Sequence, residues 1–430
     1  MKKHVGFLTA TLLLLSTLAH AQEANKENEF TMSAQVRPRA EYRNGALFPR
    51  EEGQLPASFI SNRARLSMEY RRTGLSMKIS AQHVGVWGQD PQIDKNGRFI
   101  MNEAWARLDS KSGTFFAQMG RQTLAYDDER ILGGLDWNIA GRYHDALKLG
   151  YQNAQNQLHL ILAFNQNDEK YSDTYYMSGA QPYKSMQTAW YHYKAPRTSF
   201  EASLLFMNLG WERGDAQTQK ADTKYMQTMG TYLVFKPGSF DLNGAFYYQT
   251  GKNKLGEKIS AYMWSLRAAY KVDNRWSANI GSDYLSGNDG SGDKDNAFDP
   301  LYGTHHKFYG AMDYFYASAW KGSSYGLWDN YLGVNFKASS RVVLQANYHY
   351  FNLACKPILY GGDDYGKGLG SEIDTQIDWT IMKDVKLSAG YSCMLGTKTM
   401  DLVKGGNHKS WQDWGWLSLN INPKILFVNW

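Results

Sequence analysis

From residue 31 to the C-terminus the chain repeats a pattern of period two. Between Ser33 and Arg43, the charged residues Arg37, Arg39, Glu41 and Arg43 alternate with Val36, Pro38, Ala40 and Tyr42. Residues 61–71 place Ser61, Arg63, Arg65, Ser67, Glu69 and Arg71 on one face, with Ala64, Leu66, Met68 and Tyr70 on the other. Leu75, Met77, Ile79 and Ala81 alternate with Ser76, Lys78, Ser80 and Gln82. The same pattern sets Phe240, Leu242, Phe246 and Tyr248 against Asp241, Asn243 and Gln249, and Ile373, Ile377, Trp379 and Ile381 against Glu372, Asp374, Gln376 and Asp378. Side chains that switch face at every residue define strands with one apolar and one polar side.

The pattern predicts strands over 31–43, 58–71, 75–87, 102–109, 114–122, 142–151, 157–165, 188–195, 199–208, 225–236, 239–249, 260–272, 275–285, 330–338, 341–351, 370–382, 385–395 and 413–430. Many are longer than the mode of about 5–6 residues in globular sheets. They match the roughly 9–11 residues with which a tilted strand crosses a bilayer. Aromatic residues gather near strand ends, as at Tyr70, Trp87, Trp276, Tyr284, Tyr348 and Tyr350. Short and long connections alternate. The short ones include 72–74, 236–238 and 382–384; the long ones include 44–57, 88–101, 123–141, 166–187 and 286–329. Aromatic girdles, short turns at one end and long loops at the other define an outer-membrane β-barrel. The expected fold is one closed antiparallel transmembrane barrel over 22–430, with 18 strands. Sixteen remain possible, because 102–122 and 413–430 are weak and 286–329 has room for a hairpin. Pro423 cannot donate to a ladder, so the last strand should bulge there or begin after it. The chain ends on Trp430, with Val428 and Leu426 at alternate positions, a strand end of the kind barrel assembly machinery reads.

Residues 1–21 carry a basic start, an apolar middle and the small-residue end "AHA", which is a secretory signal peptide cut after Ala21. After it, no apolar run is long enough for a helical span. The formal charge of +6 falls to +4 without Lys2 and Lys3, too weak to call for nucleic acid. Only Cys355 and Cys393 are present, so no disulfide framework is expected.

A strand in lipid turns its charges inward, since Arg or Lys facing hydrocarbon at the midplane costs roughly 2–4 kcal/mol. Arg37, Arg39, Arg43, Arg63, Arg65, Lys78, Arg107, Arg142 and Lys148 therefore form a basic ladder on one wall of the lumen, with Glu41, Glu69 and Glu103 on the same faces. Such a ladder favours anions. A structural network of ion pairs is the bland alternative.

The stretch 120–151 resembles the central motif of the alginate export family. It carries Gly120-Arg121-Gln122, Glu129-Arg130, Asp136-Trp137, Gly141-Arg142 and Asp145-Ala146 in order. "RARLSMEY" (63–70), "NEAWARL" (102–108), "LGSEIDTQIDW" (369–379) and, as in Bacteroidetes-type members, "DPLYGTHHKFYGAMDYFY" (299–316) also look like pieces of that family. The resemblance implies an 18-stranded barrel that passes an anionic polyuronate through an arginine-rich constriction with gating loops. It adds Arg121 and Arg130 to the candidate lining. Arg121 stands against the local alternation set by Met119, which places it at a bulge or in a loop. Arg130 must reach the lumen from a loop that folds inward.

The function expected is a porin-like channel for anionic or polar saccharides in the outer membrane of a Gram-negative bacterium. A general or small-anion porin is the alternative, with an outer-membrane enzyme or an adhesive barrel further off. Lipid, the solute and the assembly machinery are the expected partners. No cofactor is expected. His305, His306, Asp313 and Ser318 lie close in sequence, but neither G-x-S-x-G nor H-E-x-x-H occurs. Asp289, Asp293 and Asp295 form a faint calcium candidate without the full EF-hand spacing. The aromatic stretch 319–331 offers rings for stacking on sugars.

Overall fold

The computed structural model describes residues 27–90, 99–176, 181–290, 292–316, 324–357 and 365–430. The expected signal peptide, residues 1–21, lies outside them, as do Ser318 and residues 319–323 of the aromatic stretch.

The period-two segments form β1 (Glu29–Asn44), β2 (Ala57–Arg72), β3 (Leu75–Val86), β4 (Phe99–Asp109), β5 (Phe115–Gln122), β6 (His144–Gln152), β7 (Asn156–Phe164), β8 (Ser185–Lys194) and β9 (Phe200–Glu212). They continue as β10 (Thr223–Phe235), β11 (Phe240–Lys252), β12 (Lys258–Lys271), β13 (Trp276–Leu285), β14 (Leu327–Lys337), β15 (Val342–Asn352), β16 (Gly368–Met382), β17 (Val385–Gly396), β18 (Gln412–Ile421) and β19 (Lys424–Asn429). Each pairs antiparallel with its neighbour, and β1 pairs with β2 on one side and with β18 and β19 on the other. The sheet therefore closes on itself and leaves no edge. β18 and β19 are two halves of one strand split at Pro423, whose carbonyl still accepts from Ala34 N at 3.1 Å. The barrel thus has eighteen strands, the larger of the two counts expected. A short helix, α1 (Lys398–Lys404), is capped by the Thr397 hydroxyl.

The outer face carries Leu66, Met77, Ile79, Met119, Leu149, Leu160, Leu204, Ile280 and Leu332, all exposed. That apolar band is the surface a bilayer covers. The buried apolar core lies on the other side of the wall, inside the barrel. Ile161, Met186, Trp190, Met207, Met226, Tyr247 and Met263 point inward from β7 to β12 and pack with Leu124, Ile131, Leu132, Tyr302, Met312 and Phe315. The latter six belong to two long connections, 123–143 and 286–326. Over their described residues, 124–132 of the first and 298–315 of the second fold into the lumen rather than outward, and the second forms no hairpin there. The two touch through a parallel bridge between Leu132 and Tyr302, with Gly133 N donating to Tyr302 O at 2.9 Å and Tyr302 N to Ile131 O at 3.0 Å.

Candidate functional site: the lumen and its inward loops

The loop 123–143 crosses the lumen and is tied to three sectors of the wall. At its start, Asp127 accepts from Ser203 Oγ (2.6 Å) and Trp190 Nε1 (3.0 Å), on β9 and β8. Burial raises the Asp127 carboxyl above its ordinary range, against the pull of those two donors. In the middle, Arg130 is buried between Asp128 (2.7 Å) and Asp283 of β13 (2.9 Å). Burial opposes its charge, and the two carboxylates more than offset that. Near its end, Asp136 is held by Arg63 (2.7 Å) and Arg37 (3.0 Å), which are directly opposite each other on β2 and β1. Arg63 is fully buried and also donates to the carbonyls of Asp136, Asn138 and Ile139. Asp136 itself is 73% exposed to the lumen. Desolvation works against its charge, but Arg63 and Arg37 prevail and hold its carboxyl below the ordinary range. Next to it, the Trp137 ring lies 4.0 Å beneath the Arg39 guanidinium and stacks on His306 at 4.1 Å. Gln82 donates to Ala140 O at 2.7 Å.

The basic ladder is present on β1–β6, except that β6 begins only at His144 and Arg142 therefore belongs to the inward loop; most of the charge is spoken for. Arg39 and Arg43 share Glu41, each at 2.8 Å. Lys78 pairs with Glu103. Arg107 pairs with Asp109 (2.6 Å) and covers the Phe116 ring. Glu69 takes Arg71. Among the described residues, three cations of the ladder have no carboxylate partner. Arg65 donates to Gln82 at 2.8 Å, Arg142 donates to Gly303 O at 2.8 Å, and Lys148 lies 5.9 Å from the Phe116 ring. Arg65 lines a cavity of about 330 Å³ together with Gln35, Glu69, Lys78 and Asp136.

Arg121 is placed differently from the sequence expectation. The strand does not bulge. Arg121 stands opposite Ala104 and Asp145, on the face shared by Met119 and Leu147, and so looks outward. It sits at the last rungs of β5 and β6 and pairs with Asp145 at 2.8 Å, over the Tyr143 ring. A paired charge at the rim meets headgroups rather than hydrocarbon, which is why the alternation tolerates it. Arg130 does fold inward with its loop.

The opposite wall is acidic. Asp283, Asp329, Glu372, Asp374 and Asp413 are buried along β13–β18. Asp329 contacts His349 at 3.0 Å, and Glu372 accepts Met312 N at 2.8 Å from the inward loop 286–326. The alternation in the sequence places Glu372 and Asp374 on a polar face without marking a site, and Asp136 stands out only within the motif 120–151. A lone loop carboxylate carries no sign of which arginines it will meet.

His306 and Asp313 do come together, at 2.9 Å, within the second inward loop. In the candidate calcium loop, Asp293 pairs with Lys258 and Asp295 accepts from Asn253 and Asn288. No cluster of three metal-ligating side chains forms among the described residues. Both cysteines are free thiols.

A closed barrel with a lipid-ready outer face and loops folded into a charged lumen is an outer-membrane channel of a Gram-negative bacterium. The alginate export family model matches residues 29–394, and the chain belongs to that family. Among solved structures, OccAB4 of Acinetobacter baumannii is similar at 12% identity and a TM-score of 0.61, over 92% of this chain and 98% of that one. OccK11 (OpdR) of Pseudomonas aeruginosa is similar at 10% identity and 0.58, over 93% and 96%. The outer membrane protein opdK of Pseudomonas aeruginosa is similar at 9% identity and 0.59, over 92% and 99%. At such identities the likeness is one of fold. A search of curated protein sequences finds no match.

Proposed function

We propose that this channel passes anionic or polar saccharides, polyuronate-like in their charge, along the basic wall of β1–β6. The observation that carries the reading is the grip on Asp136. Arg37 and Arg63 hold an exposed carboxylate in the lumen with charge-assisted hydrogen bonds. The same chemistry suits the carboxylate of a passing solute. Arg65, Arg142 and Lys148, which no carboxylate among the described residues neutralises, supply the net attraction. Passage needs contacts that are many and individually weak. In this reading the loop 123–143 is the gate and Asp136 its latch. The pore is passive, and the solute gradient sets the direction. Glu41, Glu103 and Asp109 keep the rest of the ladder in register rather than binding solute. We also infer that the C-terminal strand, ending in Trp430 against Tyr70 (6.2 Å between ring centroids), is the segment that assembly machinery engages.

The test is the reversal potential of the refolded protein in a planar bilayer under a salt gradient, with and without added oligouronate. Anion preference and block by the oligomer are expected. The triple variant Arg65→Gln/Arg142→Gln/Lys148→Gln should lose most of that preference while the barrel stays folded. Unaltered selectivity in that variant refutes the role of the ladder.

A further inference from the structure

A second chamber lies on the wall away from the basic ladder. It has a volume of about 520 Å³, within the range of about 300–1,000 Å³ typical of small-ligand pockets. Its wall is built by β10–β15. Lys236, Asp241 and Asn335 stand at the short-turn end of those strands, so the chamber opens toward the periplasm. Asp128, Arg130, Lys307 and Phe308 of the inward loops roof it.

Two glycines carve this space. At Gly281 a Cβ would stand 2.3 Å from the Tyr331 ring, so only glycine lets that ring lie against the wall. At Gly333 a Cβ would stand 2.2 Å from Asn347 Oδ1 and 2.6 Å from Asn279 Nδ2, so its absence lets the two amides converge. The charges divide unevenly. Asp283 is paired with Arg130, Asp329 with His349, and Asp241 faces Lys236 at 3.8 Å. Lys307 donates to Asp128 O. Arg267 has neither an ion pair nor a hydrogen bond from its side chain among the described residues, and it is only half-buried. The side chains of Asn279, Gln345 and Asn347 likewise make no hydrogen bond among the described residues, although all three are half-buried in the same wall. Polar side chains that line a chamber without a protein partner are open to water or to a solute. Here one guanidinium and three amides aim unused donors and acceptors into one space.

We propose that this chamber is a binding site for a hydroxyl-rich monocarboxylate of one or two sugar rings, a sugar acid or a short uronate. Arg267 takes the carboxylate. The amides of Asn279, Gln345 and Asn347 take ring hydroxyls. The acids of the chamber are engaged, Asp128 and Asp283 both by Arg130, and Lys307 adds a further cation to the lining. The assignment rests on the saccharide reading of the channel, but it uses none of the ladder residues. It makes the periplasmic end of the lumen a holding site rather than a plain vestibule.

The test is calorimetric titration of the full-length mature protein in detergent with galacturonate, and with galactose as its neutral counterpart. Galacturonate should bind with a simple one-site isotherm and galactose more weakly. Arg267→Gln should weaken galacturonate by about tenfold or more, the loss of a charge-assisted contact, and leave galactose unchanged. Gly333→Ala, which crowds the two amides, should weaken both sugars. Circular dichroism and heat-modifiable gel mobility check that each variant is folded. No binding by the native protein, or binding indifferent to both variants, overturns the chamber. Binding lost in Arg65→Gln but kept in Arg267→Gln places the ligand on the ladder, so the chamber fails while the channel reading stands. Binding that depends on Arg267 in a protein that shows no conductance keeps the chamber and refutes the channel reading.

Discussion

Replacing Asp136 by Asn removes the latch charge while preserving shape. Breaking a buried ion pair from one side costs about 3–5 kcal/mol when the remaining charge is stranded. Arg63 is fully buried, which argues for that range. Two facts reduce it. Asp136 is largely exposed, so lumen water screens the pair. Arg63 also keeps three backbone carbonyls of the loop and Gln35 Oε1. What disappears is the charged part of two hydrogen bonds, one to Arg63 and one to Arg37. After screening that amounts to about 2 kcal/mol, or about 30-fold in the equilibrium between seated and released loop. Single-channel recording reads this directly as the ratio of open to closed dwell time. Asp136→Asn should raise it by about that factor, with the unitary conductance of the open state unaltered. An unchanged ratio would show that Asp136 does not latch the loop. A changed unitary conductance at a constant ratio would make it a lining residue instead.

The latch also has a pH signature. The seated Asp136 carboxyl titrates below the ordinary value of 3.8, so its stabilisation is complete above that value and is lost as pH falls through the lowered one. The latch's contribution to gating should therefore be flat from pH 8 to about 5 and fade only in stronger acid, and Asp136→Asn should remove that acid limb from conductance recordings. Arg130→Met strands Asp283 and should destabilise the seated loop by about 3–5 kcal/mol, seen as faster proteolysis within 123–143; the double variant Arg130→Met/Asp283→Asn should recover most of the protection. Leu160→Arg, on the outer face, should lower the urea stability of the barrel in lipid by about 2–4 kcal/mol, whereas Ser67→Arg, facing the lumen cavity, should cost far less.

The staves were legible because lipid sorts side chains strictly: one face of each strand must be apolar, and a shift of one residue would put charge into hydrocarbon. Arg37, Arg63 and Lys78 could be turned inward on that rule alone. Pro423 marked the break in the last strand because a missing N–H leaves a local trace. Two things left no such trace. In Leu158–Phe164 the inward positions Ile161 and Ala163 are as apolar as the outward Leu158 and Leu160, so the pattern does not announce an interior core. The loops that fill the lumen are also written in ordinary turn residues. Nothing local in Asp127, Arg130 or Asp136 names Ser203, Asp283 or Arg63, which lie up to 153 residues away. Arg121 misled for a related reason. The rule against outward charge weakens at the rim, and a sequence does not say where the rim is.

The apolar packing inside β7–β12 has a consequence for flow. At the level of that packing the sector excludes water, with lipid without and loop side chains within, while the polar chamber of β10–β15 lies on its periplasmic side. Water and ions are confined to the polar remainder of the cross-section. The conduit is therefore off-axis at that level, a channel along β1–β6 rather than a central bore, and its conductance should be that of a much slimmer tube than eighteen strands enclose. A solute in this channel travels with the cations of β1–β6 on one flank and the inward loops on the other, and turns its own charge to suit.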